Sequence, residues 1–243
     1  YSGADEENPV HYNNDVVQPA DEIATGHGVG VSIKNLQKHF PATVSGGEKV
    51  KAVDGLSLDM YDGQVTSLLG HNGAGKTTTM SLLTGMLDVT GGDADIYGLS
   101  LSHDLDEIRT MVGICTQHNL LWDELTVLEH LQLFGAIRGT SERDIDAKAN
   151  ELARQVGLGD KIGAYSKGLS GGMKRKLSVA LALIGNPKVV FLDEPTAGMD
   201  PESRHELWNL ITAMKTGRTV VLTTHHMDEA DLLGDRIAID RKS

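Results

Sequence analysis

The stretch Gly70-His71-Asn72-Gly73-Ala74-Gly75-Lys76-Thr77-Thr78 fits the spacing G-x-x-x-x-G-K-[ST] without a gap. Glycines at 70, 73 and 75 let the backbone turn so that successive N–H groups face one phosphate, and a helix opening behind them adds its positive end at the same point. Such a loop cradles a nucleoside triphosphate, with the Lys76 ammonium on the β- and γ-phosphates and the Thr77 hydroxyl on Mg²⁺. A magnesium ion there needs a carboxylate, and the apolar run Val189-Val190-Phe191-Leu192 delivers Asp193 at the carboxyl end of a strand, where open α/β sheets bind ligands. Glu194 follows at once. A carboxylate beside the metal can orient or deprotonate a water attacking the γ-phosphate, so the pair points to hydrolysis. A merely flexible glycine loop and two solvated acids are the bland alternatives, and neither explains the strand-loop-helix pattern around Lys76.

The most discriminating stretch is Leu169-Ser170-Gly171-Gly172-Met173-Lys174-Arg175-Lys176, in which two glycines beside a serine open a helix. Nothing in the same lobe offers that N-terminus an anion, so it wants one from elsewhere. Alone, Ser-Gly-Gly more often opens a plain helix or turn. Between the phosphate loop and the acidic strand end it makes the chain closely resemble the nucleotide-binding domain of ATP-binding-cassette (ABC) proteins, whose signature is Leu-Ser-Gly-Gly-Gln. The resemblance runs from about Val29 to Asp240, with the motifs in the family's order.

It implies ATP and Mg²⁺ as cofactors and residues Gly70 to Thr78 as the nucleotide cradle. Gln117 falls on the glutamine that links the metal site to the helical lobe, making it a metal ligand with Thr77 and Asp193 and a catalytic residue with Glu194 and His225. His225 falls on the γ-phosphate-sensing histidine, and the family spacing alone prefers it to the adjacent His226. Ala197-Gly198-Met199-Asp200 falls on the loop that meets the opposite subunit, and Asp200 also serves as a helix cap. Ser170, Gly171 and Gly172 then contact nucleotide held by a second domain. Phe40 best matches the aromatic on which adenine stacks, worth on the order of 0.5–1.5 kcal/mol beyond burial, with a place in the core as its alternative.

Within the family, the runs Gly70 to Ser81, Ser170 to Ser178 and His225 to Asp231 look like the A subfamily of full-size lipid transporters, and Leu233 to Ile239 looks like the first of their two nucleotide domains. Met173 departs from the family's general glutamine, although this subfamily is similar there. The resemblance implies an ATPase motor on the cytoplasmic face of a multi-pass membrane protein. Its partners are transmembrane domains and a second nucleotide-binding domain, in the same polypeptide or, in isolation, in another copy. The rival readings are a soluble ABC ATPase of DNA repair or translation, disfavoured by the acidic balance, and a P-loop kinase, which has no reason to carry Ser170-Gly171-Gly172.

These side chains need elements to hold them. The run Val65-Thr66-Ser67-Leu68-Leu69 reads as the strand entering the loop, and the Pro-free stretch Lys76 to Leu87 as the helix leaving it. Alternation at Val29, Val31, Ile33 and at Leu56, Leu58, Met60 predicts two antiparallel-type strands upstream. After turn signals at Gly91-Gly92, a short strand is expected near Ile96-Tyr97, a helix from Leu105 to Met111, and a strand Val112 to Cys115 ending at Gln117. From Leu120 to Lys167 the patterns are helical, with a capping box at Thr126 and Glu129 for a helix to about Gly135, and Ser141 with Asp144 opening another to about Val156. With the helix behind Ser170, this makes an inserted α-helical lobe at about 120–185 within a domain spanning 29–243. Leu177, Ala180, Leu181 and Ile184 share one helical face, Asp200-Pro201 starts a helix to about Met214, and Val220 to Thr223 is another buried strand. The expected fold is therefore the α/β P-loop NTPase type: a mostly parallel sheet flanked by helices, an N-terminal antiparallel portion and the helical lobe.

With 243 residues and 40% apolar content, the chain can bury the core of one large domain with an appended lobe. The 34 acidic against 22 basic residues, a formal charge of -12, argue against a nucleic-acid partner. Cys115 is the only cysteine, so no intrachain disulfide forms, and Cys115 with His118 is half a zinc spacing, which leaves Mg²⁺ as the one expected metal. No run approaches the roughly 18 apolar residues of a membrane span, so the chain is expected to be soluble by itself. It begins at Tyr1 and stops at Ser243 just after a strand-like run, which suggests an excised piece of a longer polypeptide. Residues 1–28 carry six acids and no Lys or Arg and read as an acidic flexible linker.

Overall fold

Apolar runs without alternation assemble into one sheet and alternating runs into another, as burial on both faces or on one face requires. The structure, a computed structural model, describes residues 28–41 and 49–239, so the linker expected at 1–28 lies outside it but for Gly28. In chain order the strands and helices are β1 Val29–Phe40, β2 Val50–Tyr61, β3 Val65–Leu69, α1 Lys76–Leu83, β4 Gly91–Ile96, β5 Leu99–Ser100, α2 Leu105–Met111 and β6 Val112–Cys115. There follow α3 Val127–Ile137, α4 Ile145–Gln155, α5 Gly171–Leu183, β7 Val189–Asp193, α6 Pro201–Met214, β8 Thr219–Thr224, α7 Met227–Leu233 and β9 Arg236–Ile239.

The larger sheet has the order β6-β7-β8-β3-β9 with every pair parallel. Its strands β3, β7 and β8 are buried at every residue. Because β7, β8 and β3 are parallel neighbours, the residues that follow them emerge along one edge, the ligand-binding edge of such sheets. The smaller sheet, β2-β1-β4-β5, is antiparallel.

Among the described residues, three apolar clusters hold these layers together. One joins the two sheets through Leu36, Met60, Leu82, Ile96 and Phe191. A second packs α5 and α6 on the other face of the parallel sheet through Val179, Leu183, Leu192, Leu207 and Trp208. The third is internal to the helical stretch, with Val127, Leu131, Ala153, Leu158 and Leu177. Helix α5 serves two clusters at once: Leu177, Ala180 and Leu181 face the helices, while Val179, Ala182 and Leu183 face the sheet. With Leu152 of α4 and Leu210 of α6, which pack against both clusters, it joins the lobe and the sheet in one core.

Several expectations change in detail. Gly91-Gly92, read as a turn, opens β4 inside the ladder; Gly92 has φ +72, and a Cβ there would lie 2.0 Å from Asn35 O, so the glycine permits a backbone approach beside a bulge in β1. The helix after the loop ends at Leu83 rather than Leu87, its last turn closed by Thr84 Oγ1 donating to Met80 O at 2.8 Å. Ser141 does not cap α4; its hydroxyl donates to Asp144 Oδ2 at 2.7 Å and its carbonyl closes a turn, so the helix starts only at Ile145. Ile184 is buried but extended, just past the end of α5. The Thr126 box forms as expected, and α3 runs on to Ile137. No helix among the described residues is long and apolar enough to cross a membrane.

Candidate active site

The loop from Gly70 to Thr78 is tied to the neighbouring strand by Gly70 N–H donating to Thr224 O at 3.3 Å. Gly75, the N-cap of α1, has φ +92, and a Cβ there would stand 2.4 Å from Ala52 O, so only glycine lets the loop lie against β2. Ala74 N–H donates to His71 O, whereas the N–H groups of Gly73, Gly75, Lys76 and Thr77 meet no backbone carbonyl among the described residues. Those of Gly75, Lys76 and Thr77 are the first donors of α1, and with Gly73 they suit phosphate oxygens. Lys76 is buried, and its Nζ donates to Gly70 O at 2.6 Å and His71 O at 3.0 Å, which leaves one of its three protons for a phosphate. His71 Nδ1 lies 2.8 Å from Asn72 O, and both residues are exposed.

At the end of β7, Asp193 Oδ1 accepts from Thr223 Oγ1 at 2.5 Å and from Thr77 Oγ1 at 3.4 Å. The structure thus joins a carboxylate and a hydroxyl contributed by segments far apart in sequence. Both are hard oxygen donors, and no group of three or more His, Cys, Asp and Glu suited to a metal occurs among the described residues. That donor set fits Mg²⁺, which takes one or two protein groups and completes its shell with phosphates and water. A cavity of about 410 Å³ opens beside this pair and is lined also by Met80, Cys115, Gln117 and Leu120.

Glu194 adopts φ +46, the left-handed region, at a cost of about 1–3 kcal/mol that its surroundings must offset. Its N–H donates to Thr223 O at 3.2 Å and Thr223 Oγ1 at 3.0 Å. The carboxylate is held from both sides: His225 Nδ1 stands 3.1 Å from Oε1, and Gln117 Nε2 donates to Oε2 at 3.1 Å. Of the two tandem histidines, His225 faces Glu194, while the His226 ring packs on it with centroids 4.0 Å apart. Gln117, expected at the metal, has its amide nitrogen on Glu194.

Ser170 caps α5 by accepting from Met173 N at 3.2 Å; it and Gly171 are exposed, and Gly172 is buried against Ser203. None of the three hydrogen-bonds the loop 70–78 among the described residues. Phe40 lies half-buried at the end of β1, opposite Val50 and outside all three apolar clusters, with Lys38 Nζ 5.3 Å from its ring. Asp200 caps α6, Oδ1 accepting from Ser203 N at 3.0 Å, and that backbone hydrogen bond lowers its carboxyl pKa.

Sequence reading missed three groups here. Arg175, read from the sequence only within the stretch Leu169 to Lys176 and given no role there, is only 3% exposed and bonds the backbone of both strand ends, Nη2 to Asp193 O at 2.7 Å and Glu194 O at 3.0 Å, Nη1 to Thr116 O at 2.5 Å. Thr223 is the hydroxyl that orients Asp193 and Glu194. Glu229, at 1% exposure, accepts from Thr196 Oγ1 at 2.7 Å and Trp208 Nε1 at 3.1 Å, joining α7 to the segment that precedes Ala197. Only the Thr-Thr pair before His225 gave a local signal for any of them.

The profile described as ABC transporter matches residues 53–197. The chain is 48% identical over 237 residues to the phospholipid-transporting ATPase ABCA3 of Mus musculus, covering 98% of this chain and 13% of that protein. It is 47% identical over 219 residues to the phospholipid-transporting ATPase ABCA7 of Homo sapiens, covering 90% and 10% respectively. It therefore spans only a small part of the length of these relatives. Among solved structures, the dimeric post-hydrolysis state of the ATP-binding cassette MJ0796 bound to ADP and Pi superposes with a TM-score of 0.77 at 26% identity, covering 86% of this chain and 93% of that one.

Proposed function

The chain belongs to the ABC transporter family, and from that premise we propose that it is an ATP-hydrolysing motor domain on the cytoplasmic face of a membrane transporter that moves lipid. The observation that carries this reading is the Glu194 carboxylate held between Gln117 and His225, beside the Thr77–Asp193 pair and the Lys76 loop. The loop amides and the third Lys76 proton bind and orient the β- and γ-phosphates. Thr77 and Asp193 would hold Mg²⁺, with Gln117, which lines the same cavity, as a further ligand, and the ion when bound neutralises charge on the phosphate oxygens. Glu194 takes the proton of the attacking water, while His225 keeps the carboxylate turned toward the γ-phosphate. Phe40 offers its ring to adenine.

Ser170, Gly171 and Gly172 complete the site of a second nucleotide-binding domain, and that domain completes this one. The dimeric assembly of the related cassette supports the pairing. ATP binding closes the two domains and hydrolysis reopens them, a motion passed to transmembrane domains elsewhere in the transporter. The names of the relatives support phospholipid as cargo.

The test is Glu194→Gln in the full-length protein, reconstituted in vesicles with a labelled phospholipid. Mg-ATP binding should persist while phosphate release and lipid movement stop, because the amide cannot take a proton. General-base catalysis is worth about 10²–10⁴-fold, so a variant keeping more than about a tenth of the wild-type rate removes Glu194 as the base.

A further inference from the structure

The Arg175 guanidinium is buried, and its hydrogen bonds go to oxygens other than a carboxylate's. Nε donates to Pro195 O at 2.7 Å, Nη2 to Asp193 O at 2.7 Å and Glu194 O at 3.0 Å. Nη1 donates to Thr116 O at 2.5 Å, Gln117 O at 3.2 Å and, at the limit, Asn119 Oδ1 at 3.5 Å. Desolvating a cation is expensive unless its donors are all used, and a planar fork with five N–H groups is the one side chain able to use so many carbonyls at once. The two arms of the fork reach different segments, one following β6 and one following β7. Those segments carry Gln117 and Glu194, whose side chains meet at 3.1 Å.

The backbone of Glu194 needs such support. Its left-handed conformation persists only where neighbours fix it, and here Thr223 holds its N–H while Arg175 holds its carbonyl. We propose that Arg175 is a positioning residue for hydrolysis: it locks the peptide groups of Glu194 and Gln117 to the start of α5, so that the base is presented in one orientation. The Arg175 donors go to backbone carbonyls and one side-chain amide, so it acts through Glu194. Since it rides on the helix capped by Ser170, it also ties the surface offered to a second domain to the base of its own. This rests on the reading of Glu194 as the base.

The test uses Arg175→Met, Arg175→Lys, Glu194→Gln and the double variant Glu194→Gln/Arg175→Met in the full-length protein. Glu194→Gln measures the share of turnover that depends on this domain's base. Arg175→Met should lower that share about 10–10²-fold, the size of loss a misplaced catalytic group produces. Its Mg-ATP affinity should stay within about twofold, an interaction needed only during reaction having been lost. Arg175→Lys, a charge without the fork, should fall between wild type and Arg175→Met, and the double variant should be no slower than Glu194→Gln. Wild-type turnover in Arg175→Met, a matching loss of ATP affinity, or a double variant slower than Glu194→Gln overturns the proposal. Should Arg175→Met not fold, Arg175→Lys decides: reduced kcat at unchanged affinity supports the role, and unchanged kcat overturns it. If Glu194→Gln itself keeps its activity, the failure lies with the base and not with Arg175.

Discussion

Lys76 spends two of its protons on the loop that carries it, which fixes the ammonium over the α1 N-terminus before any phosphate arrives. Lys76→Ala removes both that brace and the charge that meets the phosphates. Saturating ligand at about 100 times its Kd stabilises a protein by about 2.7 kcal/mol, so the melting temperature of the wild type should rise with Mg-ATP and that of Lys76→Ala should not. An equal rise in both would remove Lys76 from the site. Cys115 shows the opposite logic: it lines the cavity beside Thr77, yet burial pushes its thiol up to about 11. At neutral pH only about 10⁻⁴ of it is thiolate, so iodoacetamide should label Cys115 in denaturant and scarcely at all in the native protein. Native labelling at the rate of a free cysteine would contradict that burial.

At the scale of single elements, the Thr126–Glu129 box fixes where the helical lobe begins. Thr126→Ala should cost about 1 kcal/mol in denaturant unfolding. The Glu129 carboxyl pKa is lowered first by the backbone N–H of Thr126 and then by its hydroxyl. A carboxyl depressed in the folded state contributes stability above its ordinary value of 4.5, and that contribution fades as pH falls through the folded value. Stability should therefore drop between pH 5 and the acid range in wild type, with a shallower drop in Glu129→Gln; identical acid limbs would show that the box carries no charge-assisted bond. Helix α5 matters differently. It is buried toward both the lobe and the sheet, so its Ser170 cap and its Arg175 cannot move independently.

For the whole molecule, each chain carries a formal charge of -12, and two copies brought face to face repel. Pairing of the separate chain should be weak, and its ATP turnover should rise faster than linearly with concentration and improve with moderate salt, which screens the repulsion within about 8–10 Å. Mixing a Lys76→Ala chain with a Ser170→Arg chain, each inactive alone, should restore activity, because a two-fold pair would then hold one intact composite site. No recovery at concentrations where the wild type hydrolyses ATP would exclude the action of Ser170 across the interface.

What the sequence by itself determined lies where chemistry follows from neighbours along the chain. The spacing of Gly70, Gly73, Gly75 and Lys76 dictates a loop and a helix start; Thr126 with Glu129 and Asp200 with Pro201 dictate caps; unbroken apolar runs dictate strands β7 and β8. Each depends on backbone geometry within a few residues. The family spacing already preferred His225 to His226; tertiary structure alone decided that its Nδ1 turns to Glu194, that Gln117 turns its amide nitrogen to the base, and that Thr223 orients Asp193. It alone sank the middle cation of Lys174-Arg175-Lys176, leaving Lys176 to pair with Glu206. Those outcomes join residues 18 to 77 positions apart. They depend on which carbonyls and carboxylates the strand ends leave unpaired once the parallel sheet and the lobe have packed on α5, and no local spacing encodes that.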